Sequence, residues 1–199
     1  MPMSAGDLLP VERSTIVRLT VVQSGVFLAI PMVYIALSGA DASYLGLKTE
    51  DWLVSVLLGF ALFIAWIPVL YLPKRLGIRN QLEEALALKL HVRDILLLNL
   101  LVSLGEEVFF RGFLLRIIGV VPQAIVFGVM HYIGYASLLE VAYALSIGLL
   151  LGYAYKLFLP NLLFPVTFHF LANAFSLLLT RRSASQVTIN GIETASKAP

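Results

Sequence analysis

Three short polar clusters carry the residue types that could do chemistry, and each lies inside a run of apolar residues. The clusters are Glu106-Glu107-Val-Phe-Phe-Arg111, Phe127-Gly-Val-Met-His131 and His169-Phe-Leu-Ala-Asn173. Ionisable side chains are costly in hydrocarbon, so those found there mark a functional site by default. Together the clusters supply two carboxylates, an arginine, two imidazoles and an amide, which are the groups of a hydrolytic centre.

The spacing inside the first cluster predicts separate roles for its two glutamates. Glu107 and Arg111 are four residues apart, so on a helix they share a face and can form an ion pair that lowers the cost of burying both. Glu106 points about 100° away on the same helix. We therefore predict that Glu107 and Arg111 support the site, and that Glu106 is the carboxylate left for chemistry as a general base.

The two histidine clusters predict the remaining groups of the site. His169 and Asn173 are also four residues apart, so one helix face presents an imidazole and an amide together. Such donors suit an oxyanion hole, in which each donor is worth about 10²–10³ in rate. His131 would complete the set beside Glu106 by orienting a water or passing on its proton. Phe127 is expected to be core packing.

The composition predicts an integral membrane protein. Of the 199 residues, 59% are hydrophobic and 13% are charged, and the mean hydropathy is +0.90. Soluble domains are about 45–50% apolar and about 25% charged. The expected fold is an all-α membrane protein, a polytopic bundle of about six transmembrane helices. With a net charge of +2, membrane lipids rather than nucleic acid are the expected charged partners. The absence of cysteine excludes thiolate chemistry.

The apolar runs define one domain with six spans. We predict a cytoplasmic leader over residues 1–18, a single transmembrane domain over residues 19–180, and an unstructured polar tail over residues 181–199. A helix at the membrane interface is expected over residues 80–92, after the second span. The predicted spans cover residues 19–37, 52–72, 94–118, 122–135, 138–159 and 162–180.

The basic residues predict the orientation in the cell membrane. The connection after the second span holds five basic residues, whereas the loop after the first holds only Lys48. Because Lys and Arg favour the cytoplasmic side, both termini of this multi-pass chain are expected in the cytoplasm. A rise of about 1.5 Å per residue then places Glu106, His131 and His169 at similar depths. A small-residue face of Ala144, Gly148 and Gly152 on the fifth span predicts close helix packing.

At these residues the sequence resembles a known family. Glu-Glu-x-x-x-Arg, Phe-x-x-x-His and His-x-x-x-Asn, in that order on successive membrane helices, are similar to the motifs of type II CAAX prenyl endopeptidases and bacteriocin-processing intramembrane proteases, the CPBP or Abi family. The resemblance covers about residues 94–178, which form the motif core. It implies an intramembrane endopeptidase in which a glutamate and a histidine activate water, while a second histidine and an asparagine stabilise the oxyanion.

The resemblance also assigns roles by position and implies a substrate class. The substrate would be a peptide or protein, either lipidated, such as a prenylated CAAX-type chain, or a bacteriocin or membrane-peptide precursor. No cofactor is implied. The assigned roles are Glu106 and His131 as the water-activating pair, His169 and Asn173 as the oxyanion donors, and Glu107 with Arg111 as a support.

Three alternatives remain open from the residues alone. Glu106, His131 and His169 form the His₂Glu set that catalytic zinc accepts, so a zinc-dependent intramembrane metalloprotease is one alternative. Buried Glu, His and Arg side chains also suit the proton relay of a transporter, although the sequence shows no internal repeat. The third is a non-catalytic membrane protein that confers bacteriocin immunity by binding a peptide in the same cavity.

Overall fold

All regular structure in the described part of the chain is helical, which confirms the predicted all-α class. The structure, a computed structural model, describes residues 12–75, 81–135, 138–157 and 160–196. The elements in chain order are α1 (Arg13–Ser38), a 3-10 turn (Ala42–Leu45), α2 (Trp52–Arg75), α3 (Gln81–Lys89), α4 (Val92–Glu107), a π-helical segment (Val108–Leu114), α5 (Leu115–Ile118), α6 (Val120–Tyr135), α7 (Leu138–Leu157) and α8 (Leu163–Ser196).

Within the described ranges, four helices are long and apolar enough to cross a membrane: Arg13–Ser38, Trp52–Leu72, Leu138–Leu157 and Leu163–Ala184. The fourth predicted span is a shorter apolar helix, Val120–Tyr132. The third predicted span corresponds to the rod formed by α4, the π segment and α5. Large apolar side chains such as Leu37, 84% exposed, and Leu19, 63% exposed, cover the outside of the bundle. An apolar outer surface of this kind is suited to contact with lipid rather than with water. The chain is therefore a membrane protein.

The two ends of the chain differ from the prediction. Helix α1 begins at Arg13 rather than near residue 19, because the Arg13 guanidinium donates to Asp94 of α4, with Nε 2.7 Å from Oδ2 and Nη2 2.9 Å from Oδ1. The first eleven residues of the predicted leader lie outside the described residues. The predicted unstructured tail is instead helical through Ser196. Residues 181–196 contain no proline, so no missing N–H or ring clash interrupts the helix that the preceding apolar turns have already formed.

Helix α8 is the central element of the bundle. It contacts α2, α3 and α4 extensively and α7 less so, while α1 lies against α4 and the π segment. The approach of α2 to α8 depends on Gly59, because a Cβ there would lie 2.6 Å from the backbone oxygen of Phe164 and 2.8 Å from the Cβ of Thr167. An apolar cluster that includes Phe63, Leu151 and Phe168 fills the space between α2, α7 and α8. The central position of α8 brings its polar residues next to α4.

Helices α6 and α7 pack as a close pair through the small-residue face predicted on α7. Ala144, Gly148 and Gly152 are all buried. A Cβ on Gly148 would lie 3.1 Å from the Cα of Ala124, and one on Gly152 would lie 2.9 Å from Cγ1 of Val120. These contacts confirm the prediction of close packing. They also fix the position of α6, which carries the second polar cluster, against α7.

The bundle has two distinct ends, which we name by the elements found there. The α3 end holds α3 and the start of α4, and α8 reaches it near Arg181, whose guanidinium donates to the carbonyls of Ala87 and Leu90. The turn end holds the 3-10 turn, the start of α8 and the end of α7. There the Leu162 N–H donates to the carbonyl of Gly46 at 3.0 Å.

The 3-10 turn is fixed by Asp41, which lies just before it. The backbone N–H of Ser43 donates to Oδ1 of Asp41 at 2.7 Å, and this contact holds the pKa of that carboxyl below its usual range. Leu45, the last residue of the turn, is completely buried, and its carbonyl accepts a hydrogen bond from the Tyr155 hydroxyl at 3.3 Å. The turn is therefore a packed part of the bundle rather than a loose loop.

Candidate active site

The helix that carries the first polar cluster changes its hydrogen-bonding pattern directly after the two glutamates. Residues Val108–Leu114 form a π-helix, which is a rare structure that occurs often at functional sites. The segment presses against the 3-10 turn at Gly112, where a Cβ would lie 2.7 Å from the backbone oxygen of Leu45. The sequence analysis assumed one regular helix over residues 94–118, and no residue pattern in that range distinguished π from α.

Glu107 and Arg111 form the ion pair that their spacing predicts. Nη1 of Arg111 lies 2.9 Å from Oε1 of Glu107, and both side chains are completely buried. Nε and Nη2 of Arg111 have no hydrogen-bond partner among the described residues. A charge buried in this way is tolerated because its partner is buried beside it, and removing either group would leave the other unpaired.

Glu107 has a second partner that the spacing did not reveal. Nδ1 of His169 lies 2.7 Å from Oε1 of Glu107, the same oxygen that contacts Arg111. An ionised carboxylate only accepts, so Nδ1 of the imidazole carries the proton in this contact. A carboxylate that holds one ring nitrogen fixes both the tautomer and the orientation of the ring. Glu107 therefore links a helix-internal ion pair to a histidine on α8.

The other nitrogen of His169 faces Glu106. Nε2 lies 3.8 Å from Oε2 of Glu106, which is too long for a direct hydrogen bond. Glu106 is 7% exposed, and its Oε2 atom is buried without a hydrogen-bond partner in the described part of the chain. Buried polar atoms are almost always paired, so an unpaired carboxylate oxygen inside an apolar bundle calls for a functional explanation.

Phe127 lies between the polar groups of the three clusters. Its ring centroid is 4.5 Å from the ring of His131, 6.2 Å from the ring of His169 and 4.7 Å below the Arg111 guanidinium carbon. The ring is buried, as core packing predicts, but its neighbours are the site residues. The one signal in the sequence was its position four residues before His131, on the same helix face.

His131 is held by the backbone of its own helix. Nδ1 lies 2.8 Å from the carbonyl oxygen of Phe127, and a carbonyl only accepts, so Nδ1 is the donor. In the neutral imidazole Nε2 is then the nitrogen that can accept a proton. Among the described residues, His169 has a ring nitrogen within 4 Å of a Glu106 oxygen, and the role in water activation that we predict for His131 beside Glu106 stays a prediction.

Asn173 follows His169 by one turn on α8 and is half-buried. Its side chain makes no hydrogen bond within the part of the chain that the structure describes, so its amide is available to a bound molecule. The bundle thus brings Glu106, Glu107, Arg111 and His169 into direct contact range, joins His131 to them through Phe127, and places Asn173 at the edge of the group.

The structure also tests whether the site residues could hold a metal ion. Among the described residues, no group of three or more carboxylate and imidazole side chains is arranged to bind one ion. The alternative zinc set of Glu106, His131 and His169 is therefore not assembled in this arrangement, although two of its members are neighbours.

The comparison with known protein families matches the part of the chain that carries the three polar clusters. Residues 89–175 match the sequence profile of the type II CAAX prenyl endopeptidase Rce1-like family. The uncharacterized protein YpbD of Bacillus subtilis (strain 168) is 29% identical over 104 residues, which are 52% of this chain and 54% of that protein. The chain thus matches about half the length of this relative. No solved structure matches the chain significantly.

The matched range begins at the last residue of α3 and ends in α8, so it contains all three polar clusters together with the helices that assemble them. It also contains the π segment and the small-residue face of α7. Over this segment the chain is similar to the type II CAAX prenyl endopeptidase Rce1-like family.

Proposed function

We propose that this chain is an intramembrane endopeptidase that hydrolyses peptide bonds with water activated by Glu106. The observation that carries the proposal is the unpaired Oε2 atom of Glu106, buried in an apolar bundle 3.8 Å from Nε2 of His169. A water that bonds to both atoms satisfies the carboxylate and lies next to a histidine. The family match of residues 89–175 supports the reaction class.

The first step is the attack of water on the scissile carbonyl. Glu106 accepts a proton from the water while the water oxygen bonds to the carbonyl carbon, whose π electrons move to oxygen. His131 assists this step by orienting the water or relaying its proton, with its ring oriented by the contact of Nδ1 with the Phe127 carbonyl. The product of this step is a tetrahedral intermediate with one negative oxygen.

The second step is stabilisation and collapse of that intermediate. His169 enters this step as an imidazolium that has taken its second proton from solvent, and Glu107 balances its charge through Nδ1 at 2.7 Å. The Asn173 amide and the Nε2–H of His169 then both donate to the oxyanion. The carbon–nitrogen bond then breaks, and the proton held by Glu106 passes to the leaving amine. Glu107 and Arg111 take no proton in this scheme, because their role is to hold His169 in place.

The proposed substrates are membrane-associated peptides. The family is named for prenylated CAAX chains, so a lipidated C-terminal peptide is one class, and a bacteriocin or other membrane-peptide precursor is another. We propose a multi-pass arrangement in the cell membrane with the α3 end in the cytoplasm. This end holds Arg13, Arg75, Lys89, Arg93, Arg181 and Arg182, which is the bias that the positive-inside rule describes.

The proposal is tested by cleavage of fluorogenic peptides, including farnesylated CAAX peptides, with protein purified in detergent. Glu106→Gln keeps the shape of the side chain but removes its ability to accept a proton, so we expect cleavage to fall by at least about 10²-fold. Glu50→Gln, in the exposed loop before α2, is the matched control and should cleave like the unchanged protein. Full activity of Glu106→Gln would overturn the proposal.

The same assay separates the alternative functions. Loss of cleavage with a chelator, restored by Zn²⁺, would indicate the metalloprotease. Specific binding of a peptide that is never cleaved, unchanged by Glu106→Gln, would indicate the non-catalytic immunity role. Cleavage that is independent of metal and dependent on Glu106 supports the proposed mechanism.

A further inference from the structure

We propose that the hydrolytic water reaches Glu106 from the α3 end of the bundle, along a file of polar side chains between α4 and α8. The inference rests on the proposed function, because it concerns the supply of water to that same site. We call the file the polar track. It consists of Asn99 and Ser103 on α4, Asn173, Ser176 and Thr180 on α8, and Glu83 on α3.

The α8 side of the track begins at the site itself. His169, Asn173, Ser176 and Thr180 follow one another at intervals of four, three and four residues, so they occupy one face of the helix. Because His169 contacts Glu107 of α4, this face is directed at α4. This face is polar over about three turns, and the α8 residues between its members are mainly apolar.

The α4 side continues the same pattern from the glutamates towards the α3 end. Ser103 precedes Glu107 by four residues, and Asn99 precedes Ser103 by four, so all three lie on the face that meets α8. Ser103 is completely buried, and its hydroxyl has no hydrogen-bond partner in the described ranges. A buried hydroxyl that lacks a protein partner between two helices is the kind of group that bonds to an internal water.

The far end of the track is anchored on α3. The hydroxyls of Ser176 and Thr180 donate to Oε1 of Glu83 at 2.6 and 2.8 Å, so the polar face of α8 ends at an acidic side chain. From His169 to Thr180 the helix rises by about 17 Å, which is roughly half the thickness of a bilayer core. The track therefore has the length needed to join a site within the bilayer to its surface.

The opposite end of the site holds an apolar cluster and one buried amide, that of Gln123 on α6, which has no hydrogen-bond partner among the described residues. Beyond Glu107, towards the turn end, a buried cluster fills the space between the 3-10 turn, the π segment, α6, α7 and the start of α8. Of its members, Leu45 is 0% and Leu162 is 1% exposed. The cluster consists of Leu45, Val108, Leu115, Val120, Tyr155 and Leu162. The row of polar residues on α4 and α8 runs from the site to the α3 end, and this row gives the water route its direction.

The chain contains no cysteine, so single cysteines can report on water access directly. We would label Ser103→Cys and Ser176→Cys in membrane vesicles of defined orientation, with a small impermeant cationic methanethiosulfonate reagent. Thiols react as thiolates, which form in contact with water, so Ser103→Cys should react at least about tenfold faster than a buried apolar position. The reaction should occur only when the reagent is on the α3 side.

Two control positions define the comparison. Leu100→Cys lies on α4 close to Ser103 in depth but faces outwards, with 46% exposure in the bundle, so lipid would surround it. Leu162→Cys lies in the apolar cluster at the turn end. Both should stay unlabelled. Equal labelling of Ser103→Cys and Leu100→Cys, or labelling of Ser103→Cys from the turn side alone, would overturn the inference. Thermal unfolding in detergent verifies that each variant is folded.

Labelling does not depend on enzymatic activity, so the two proposals can fail separately. Labelling from the α3 side in a protein that cleaves nothing would leave the track standing and remove the protease. Peptide cleavage by the unchanged protein, combined with no labelling of Ser103→Cys, would remove the track and leave the protease standing.

A second test of the track uses enzymatic activity. Ser103→Val replaces the hydroxyl of Ser103 with a methyl group and blocks the track. We expect it to lower kcat several-fold with KM unchanged, and Ser103→Thr, which keeps the hydroxyl, to retain more activity.

Discussion

Nδ1 of His169 lies 2.7 Å from Oε1 of Glu107, and this contact sets the direction in which the histidine presents its other nitrogen. The same carboxylate oxygen also accepts from Nη1 of Arg111 at 2.9 Å. One buried oxygen thus ties the guanidinium to the imidazole and leaves Nε2 facing Glu106. The Glu107–Arg111 ion pair therefore also fixes the position of His169, which lies on another helix.

The Glu107–Arg111 pair should be necessary for both stability and activity. Glu107→Ala leaves a completely buried guanidinium without its counter-charge, so we expect a loss of about 3–5 kcal/mol in the free energy of unfolding. Denaturant unfolding of the purified protein in mixed micelles measures this change. A loss below about 0.5 kcal/mol, typical of an exposed pair, would contradict the buried arrangement.

A double variant separates the structural role of this pair from its positioning role. Glu107→Leu combined with Arg111→Leu removes both charges, and replacement of a buried ion pair by apolar residues is often neutral in stability. We expect stability to recover while peptide cleavage stays low, because His169 has lost its acceptor. Recovery of full cleavage together with stability would show that Glu107 has no positioning role.

His169 should matter for rate more than for folding. His169→Asn removes both the contact with Glu107 and the nitrogen that faces Glu106, so we expect kcat to fall by about 10²–10³-fold. Steady-state cleavage of a fluorogenic peptide measures the change. His91→Asn at the exposed start of α4 is the matched control, and asparagine suits a helix N-terminus, so its activity should be unchanged. Equal effects of the two variants would contradict a role for His169.

Removal of metal should leave the activity intact. In the proposed mechanism Glu106 accepts the proton of the attacking water without the help of a metal ion. We therefore expect cleavage to survive prolonged dialysis against a strong chelator, and elemental analysis of the active protein to find less than stoichiometric zinc. Activity that disappears on dialysis and returns with Zn²⁺ would contradict this expectation.

Close packing of α2 on α8 should make Gly59 intolerant of even one methyl group. Gly59→Ala places a Cβ 2.6 Å from the backbone oxygen of Phe164, so one of the helices must shift, and we expect a loss of about 1–3 kcal/mol. Gly25→Ala on α1 is the matched control, because no atom lies within 4 Å of its added Cβ. It should be neutral or raise stability by up to about 1 kcal/mol. The melting temperatures of the two variants in detergent compare them directly.

Much of the architecture could be predicted without coordinates. Composition placed the chain in a membrane because hydropathy is a property of residues rather than of their arrangement. Helix-periodic spacing predicted the Glu107–Arg111 pair and the small-residue face of α7, since both depend on positions within a single helix. Helix ends were less predictable. Arg13 joins α1 through a contact with Asp94, which is 81 residues away in the chain.

The sequence by itself determined the membrane class, the helices and the three polar clusters, because these features follow from local composition and spacing. Only the tertiary structure decided which groups of different helices meet. It placed a ring nitrogen of His169 within 4 Å of Glu106, and it put the ring of Phe127 between the two histidines. The physical reason is that contacts between helices depend on their rotation and relative height, which here follow from the π segment and from glycines that admit a close neighbour.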